Sequence, residues 1–449
     1  MIRFLRALII MLALLAGGAG TLRAETLDEA LANAYQNSPR LQARQALLRS
    51  IDEQVAQAHA GWRPVLNGSA DAKRTYQTPL PDSNAVLHPR TLQVELTQPL
   101  LRLQTIPEIK AAKRAVDAAR ADLQSQEQQL LFDGVSAYMN VLRDQAVIDL
   151  QKNNEQVLQK QLEASRDQFR VGEVTRTDVS QSESRHAAAT ADRIQAEGAL
   201  ESSRANYTRV IGGPPVELHK PDVKLPLPQA LDEATAAAEA ANPDVRAADF
   251  AYQQADQQTD TTLAQLLPRV DLIGSAARGY GLSNALPQKT DSYMVGVRAT
   301  IPLYQGGADY ARTRAAKQTR SQKKLEHEET RRRAHEAAVQ AWQLYKTALA
   351  AIEARKSAVN SNKIALEGTR QEAKVGTRTT LDVLDAEQEY LSTQVNLVRA
   401  EHDAVVAAYQ IMAAIGKLTA ADLKLPVKLY DPQQHYDEAA GKWIGLGGE

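Results

Sequence analysis

An internal repeat organises this sequence. The tetrapeptide Leu-Asp-Glu-Ala begins at Leu27 and again at Leu231, a spacing of 231 − 27 = 204 residues. The same spacing relates Pro39 and Pro243, Pro64 and Pro268, Gly172 and Gly376, Asp178 and Asp382, and Gly212 and Gly416. A period this long indicates a duplicated unit and not a solenoid. The sequence therefore predicts two homologous halves, residues 25–228 and 229–425, followed by a tail at 426–449.

The first 24 residues have the features of a secretory signal peptide. Arg3 and Arg6 precede a short apolar run, and a small residue, Ala24, comes before the predicted cleavage point. A retained membrane anchor is the alternative, although the run is shorter than the roughly 20 residues that a span requires. No later segment is long and apolar enough to predict a transmembrane helix.

Composition excludes several classes of protein. The chain has no cysteine, which excludes disulfides, thiolate metal sites, a cysteine nucleophile and a lipid-modified N-terminal cysteine. Its formal net charge is -1 over 449 residues, so no basic surface predicts nucleic-acid binding. Aromatic residues make up only 5%, which favours long helices over a thick aromatic core.

Each half contains two segments in which apolar and polar residues alternate. We predict strands over 64–76 and 91–100 in the first half, joined by a loop, and over 268–280 and 292–302 in the second. Their length and alternation match strands of a transmembrane β-barrel, which need about 9–11 residues. An antiparallel sheet with one face on a soluble core is the alternative.

Long helical segments follow each pair of strands. We predict long helices over 107–171 and 308–375, each followed by a return helix, over 177–211 and 380–416. Apolar residues recur every seven positions in the last of these, at Leu384, Leu391, Val398, Val405 and Met412. A sustained heptad pattern predicts coiled-coil packing.

The long helices end at two related turns, Val171-Gly172 and Val375-Gly376. Glycine readily adopts the left-handed conformation that ends a helix, so we expect the chain to reverse there. Asp178 and Asp382 fall in the first turn of the return helices, where a carboxylate interacts favourably with the helix dipole.

The predicted strands require more than one copy of the chain. Unpaired backbone groups at a sheet edge each cost several kcal/mol in lipid, and closed barrels have at least about 8 strands. One chain supplies four. Two copies give the minimum, and three give 12 strands and 12 helical tracks.

Taken together, these motifs resemble the TolC family of outer-membrane efflux and secretion channels. The resemblance is carried by the repeated "LDEA", the "GWRP" and "LLPR" entries to strands, "IPLYQGG" at 301–307 and "VGTRTTLDVLDA" at 375–386. The absence of a lipidation cysteine resembles the TolC branch. The resemblance implies a mainly α fold with a transmembrane β portion. It also implies a homotrimer whose 12-stranded barrel lies in the outer membrane of a Gram-negative bacterium and continues as a 12-helix barrel in the periplasm.

The resemblance also implies a gate at the helix turns. Arg378 would link to Thr177 and Asp178 and hold the closed state. Asp382 and Asp385, three residues apart on one helix face, would form acidic rings that favour cations and could bind a blocking divalent ion. Ala373 stands where the family has a gate-linking tyrosine, which implies fewer links and a looser gate.

The predicted function is that of a passive exit duct for type I protein secretion, multidrug efflux or both. An inner-membrane ABC or proton-driven pump would supply energy, and a periplasmic adaptor would contact the Val171-Gly172 and Val375-Gly376 turns. Besides the homotrimer and these partners, we expect contact with outer-membrane lipid. We expect no cofactor, no certain metal site and no enzymatic activity. The alternatives are a periplasmic adaptor and a trimeric structural coiled-coil protein without channel activity.

Overall fold

The computed structural model describes residues 25–80, 83–222, 224–281 and 289–446, except the side chains of residues 77–80 and 83–85. The signal peptide predicted over 1–24 lies outside this part of the chain. The helices are α1 (Leu27–Asn37), α2 (Pro39–His59), α3 (Thr105–Arg170), α4 (Arg176–Ile211), α5 (Leu231–Ala241), α6 (Pro243–Ala264), α7 (Ala308–Lys374), α8 (Thr380–Ala414) and α9 (Gln434–Ala440). The strands are β1 (Val65–Ala72), β2 (Thr75–Leu80), β3 (Ser83–Leu87), β4 (Arg90–Leu101), β5 (Arg269–Tyr280) and β6 (Lys289–Thr300).

None of the described helices combines the length and the apolar character needed to cross a membrane.

The prediction of one strand over 64–76 and a plain loop after it is wrong. The segment divides into β1 and β2, and β2 pairs with β3 in a separate antiparallel hairpin. Between β1 and β2, the Lys73 N–H donates to the Pro89 carbonyl oxygen at 2.9 Å. This bond closes the end of the β1–β4 pair, and the β-favouring residues Thr75, Tyr76 and Val86 then form their own ladder.

Four strands form one antiparallel sheet in the order β1-β4-β5-β6. Its register aligns the alternating residues, since Leu66 opposes Leu96, Leu96 opposes Gly274 and Gly274 opposes Val295. We call the resulting surface the apolar face. Its larger side chains are Leu66, Leu92, Val94, Leu96, Leu272, Tyr293, Val295 and Val297.

Within the part of the chain that the structure describes, the apolar face is uncovered. Tyr293 is 80% exposed and Val295 is 81% exposed. A soluble sheet buries its apolar side on its own core, so the structure does not fit that alternative.

The chain divides into two compact units. The described residues of unit 1 lie within 1–42, 124–242 and 332–430, and those of unit 2 lie within 43–123, 243–331 and 431–449. In unit 1, α1 packs on α4, and α4 packs on α8.

The predicted heptad of α8 contributes to the core of unit 1. Leu384, Leu391 and Met412 are buried, whereas Val398 and Val405 are half-buried in the single chain. The heptad pattern therefore identifies core positions at both ends of α8.

In unit 2, the tail forms helix α9 and is attached by polar contacts. His435 Nδ1 lies 3.1 Å from Asp52 Oδ2, and Arg63 Nη1 donates to the Lys442 carbonyl oxygen at 2.7 Å. Burial raises the pKa of the Asp52 carboxyl group, which the neighbouring His435 partly counteracts.

Candidate functional site

Both long helices end in the same hydrogen-bonded turn. In the first, the Gly172 N–H donates to Phe169 O at 3.1 Å and the Glu173 N–H donates to Gln168 O at 2.9 Å. In the second, the equivalent bonds run from Gly376 to Ala373 at 3.1 Å and from Thr377 to Glu372 at 3.0 Å. This pair of bonds is the Schellman motif, and both glycines have φ of 81°. The predicted left-handed helix ends are confirmed.

Each return helix begins with a reciprocal cap. Thr175 N–H donates to Asp178 Oδ2 at 2.9 Å, and Asp178 N–H donates to Thr175 Oγ1 at 3.3 Å. Thr379 and Asp382 form the same pair, at 2.9 Å and 3.2 Å. These hydrogen bonds lower the pKa of both carboxyl groups, with the Thr175 hydroxyl the largest cause at Asp178 and the Thr379 N–H the largest at Asp382. Both aspartates therefore stabilise helix starts.

Apolar side chains project from both turns. Val171 is 71% exposed, Val375 is 75% exposed and Phe169 is 45% exposed. Both turns therefore expose a valine at the equivalent position, which forms an apolar surface on the single chain.

An Arg–Glu ion pair joins the two helices of each hairpin near its turn. We call α3 with α4 hairpin 1, and α7 with α8 hairpin 2. Arg166 donates to Glu183 at 2.7 Å in hairpin 1, and Arg370 donates to Glu387 in hairpin 2. The pairs are equivalent, because 166 + 204 = 370 and 183 + 204 = 387. These four residues are not among the site residues predicted from the sequence, although the 204-residue spacing relates both pairs.

An ion pair joins the two hairpins to each other. Arg185 of α4 donates to Asp385 of α8, and both side chains are partly exposed. Next to this pair, Leu158, Ala189 and Leu384 form a buried cluster that also spans both hairpins. The return helices are thus held together by an apolar contact with an ion pair at its edge.

The structure places the predicted gate residues close together but does not pair them as predicted. Arg378 Nε donates to Glu372 Oε2 at 3.0 Å, and Asp178 is engaged by Thr175. Among the described contacts, none joins Arg378 to Thr177 or Asp178. In the described part of one chain the predicted link is absent, and Arg378 and Asp178 are instead each bonded to a residue of their own hairpin. Arg378 and Asp178 nevertheless line one cavity of about 1430 Å³ between the hairpins.

The two aspartates of the predicted acidic rings have different environments. Asp382 caps α8 through one carboxylate oxygen, whereas Asp385 is paired with Arg185. Within the described ranges, no group of three or more histidine, aspartate or glutamate side chains is arranged to hold a metal ion.

Comparison with known proteins extends these observations. The sequence profile of a family described as "Outer membrane efflux protein" matches residues 30–213 and 235–417. Outer membrane efflux protein BepC of Brucella suis is 34% identical over 94% of this chain and 92% of its own length. Outer membrane protein TolC of Vibrio cholerae is 25% identical over 89% of this chain and 92% of its length. Alkaline protease secretion protein AprF of Pseudomonas aeruginosa is 25% identical over 74% of this chain and 70% of its length.

Solved structures with the same fold include the Campylobacter jejuni CmeC outer membrane channel. It superposes with a TM-score of 0.80 at 15% identity, covering 92% of this chain and 89% of that chain.

Proposed function

Because this chain belongs to the outer membrane efflux protein family, we propose that three copies form the gated exit duct of a tripartite export system. The chain is an outer-membrane channel protein for efflux or secretion and is not an enzyme.

The four-stranded sheet supports the proposal that several copies of the chain form one barrel. Its apolar face is exposed, and β1 and β6 are its two edges. Since four antiparallel strands alternate in direction, β1 of one copy runs antiparallel to β6 of the next. Pairing these edges satisfies the backbone groups that lipid would leave without partners. Three copies then give twelve strands, within the range of closed barrels.

Arg185 and Asp385 are the contact that we assign to the closed gate within a chain. Their side chains are 38% and 57% exposed, so the pair is worth about 1 kcal/mol or less. A contact this weak can be released when a partner binds. In this proposal Arg185, and not Arg378, makes the link between the hairpins within the chain. The weakness of this link fits the loose gate implied by Ala373. Arg378, which lines the same cavity as Asp178, is left to contact Thr177 and Asp178 during the opening movement.

The acidic ring of the proposed pore depends mainly on Asp382. In a trimer three copies of Asp382 would converge on the axis, whereas Arg185 compensates the charge of each Asp385. The ring would favour cations and provide a weak site for a blocking divalent ion.

The turns are the proposed docking surface for a periplasmic adaptor. Val171 and Val375 offer apolar contacts, and the cavity between the hairpins provides space for an inserted partner segment. Energy would come from an inner-membrane ABC or proton-driven pump through that adaptor. The relatives are named for efflux and for protease secretion, so we propose that the cargo includes small molecules, secreted proteins or both.

Single-channel recording in planar bilayers tests the proposal. We expect the unmodified protein to show a small, cation-selective conductance that divalent ions reduce. Arg185→Gln should raise it. Arg166→Gln is the matched control, because it removes an arginine that pairs within hairpin 1 only. A properly inserted protein that conducts no ions would refute the duct, and equal conductance in all three proteins would refute the role of Arg185.

A further inference from the structure

The apolar face of the sheet changes character at one end. At one end of the sheet the strands are connected to the helices, through Val65 of β1, Leu101 of β4, Arg269 of β5 and Thr300 of β6. At the opposite end, the last two rows of the same face carry charges. One row contains Leu92, Arg278 and Asp291, and the terminal row contains Arg90, Tyr280 and Lys289.

Positive charge exceeds negative charge in these two rows. Arg278 donates to both carboxylate oxygens of Asp291, at 2.7 Å and 3.3 Å, and Lys289 Nζ lies 3.5 Å from the same carboxylate. No carboxylate of a described residue lies within ion-pair distance of Arg90. Two cations thus share the Asp291 carboxylate and Arg90 is a third, which gives a net charge of 3 − 1 = +2 on these two rows.

These cations retain capacity to bind an anion. The Arg278 side chain is 48% exposed and that of Lys289 is 49% exposed. Arg278 uses two of its five N–H groups on Asp291, which leaves three. Guanidinium groups match the geometry of phosphate oxygens and bind them through short, charge-assisted hydrogen bonds.

Two depressions lined partly by apolar side chains lie beside two of the cations, Arg278 and Arg90. One of about 430 Å³ is lined by Gly68, Ala276 and Tyr293, and also by Arg278 with its partner Asp291. The other, of about 700 Å³, is lined by Ala72, Leu92 and Tyr280 and includes Arg90, together with Asp71, which is paired with Lys73. The small residues Gly68 and Ala276 leave space in the first depression, and the larger Tyr293 lies beside it. An apolar chain and an anionic headgroup fit this combination, and tyrosine is common at that depth of a membrane.

We propose that this end of the apolar face binds a membrane lipid, and that Arg90, Arg278 and Lys289 contact the phosphate groups of the lipid. Here the residues form a lipid site, not merely a surface in general contact with lipid. The proposal rests on the apolar face lying toward the membrane and is independent of the gate.

Native mass spectrometry of the full-length protein in neutral detergent tests this site. Diphosphoryl lipid A is the probe, and phosphatidylcholine is the zwitterionic comparison. We expect the variant Arg90→Gln/Arg278→Gln/Lys289→Gln to bind lipid A at least about tenfold more weakly and phosphatidylcholine unchanged. The control Arg355→Gln/Lys363→Gln/Arg399→Gln removes the same charge at exposed positions of α7 and α8 and should bind like the unmodified protein.

Further measurements keep the result interpretable. Lys289→Gln alone leaves the Arg278–Asp291 pair intact and should weaken lipid A binding by a smaller factor, which tests the site without a risk to folding. Equal lipid A binding by the unmodified protein and the triple variant would overturn the proposal. So would full competition by inorganic phosphate at the concentration of the lipid, since that would identify a site for free anions. Retention of conductance by the triple variant would separate this outcome from a failure of the channel.

Discussion

The equivalent ion pairs Arg166–Glu183 and Arg370–Glu387 allow the same substitution to be compared in two environments. Glu183 is 48% exposed, whereas Glu387 is 11% exposed. Glu387→Gln replaces a charge-assisted hydrogen bond by a neutral one in a nearly buried site, which we expect to cost about 1–2 kcal/mol. Glu183→Gln should cost about 0.5 kcal/mol or less, because water screens the exposed pair.

Amide hydrogen exchange measures this difference locally. We expect Glu387→Gln to accelerate exchange at residues 383–391 roughly 5- to 30-fold, since 1.36 kcal/mol is a factor of ten. Glu183→Gln should accelerate exchange at the equivalent residues 179–187 about twofold or less. Each variant serves as the control for the other. An equal effect of the two substitutions, or a larger effect of Glu183→Gln, would refute the argument from burial.

Three further predictions concern the turns and the gate. Gly376→Ala should lower the unfolding free energy of hairpin 2 by about 1–2 kcal/mol because its φ is 81°. Gly368→Ala, at an open helical position, should raise it by up to about 1 kcal/mol, so hydrogen exchange that shifts the same way in both would contradict the backbone argument. Arg185→Gln should raise the channel open probability up to about fivefold, and adding Asp385→Asn should change it no further; additive effects in single-channel recordings would exclude a direct pair. The lowered pKa of Asp382 means that its cap is fully formed above about pH 4 and is lost as pH falls through the lower folded-state pKa. Hydrogen exchange of the first turn of α8, corrected for intrinsic rates, should therefore accelerate in acid, and Asp382→Asn should remove that dependence; an unchanged pH dependence in the variant would count against the cap.

Local signals explain what the sequence predicts well. A glycine after a long apolar-periodic segment, with a threonine and an aspartate soon after it, is sufficient to place both turns. Alternation likewise predicts the faces of β4, β5 and β6, because a period of two needs no knowledge of the neighbouring strand.

Other features depend on contacts that a local pattern does not contain. Arg185 and Asp385 have no repeat partners, since 185 + 204 gives Glu389 and 385 − 204 gives Gln181. Their pairing follows only from the packing of α4 against α8. The division of the first strand likewise depends on the hydrogen bond from Lys73 to Pro89, which lies 16 residues away by 89 − 73.

The even number of strands in the sheet bears on how such a chain could have originated. Each half predicted from the sequence contributes one adjacent pair to the sheet, β1 with β4 and β5 with β6. A half-length ancestor would therefore already have had two edges of opposite direction, able to join antiparallel to further copies. Six such ancestors would supply the twelve strands that we propose for three present-day chains. Gene duplication and fusion would then have halved the number of subunits without changing the antiparallel direction of any pair of neighbouring strands. The two hairpins could afterwards have diverged in sequence.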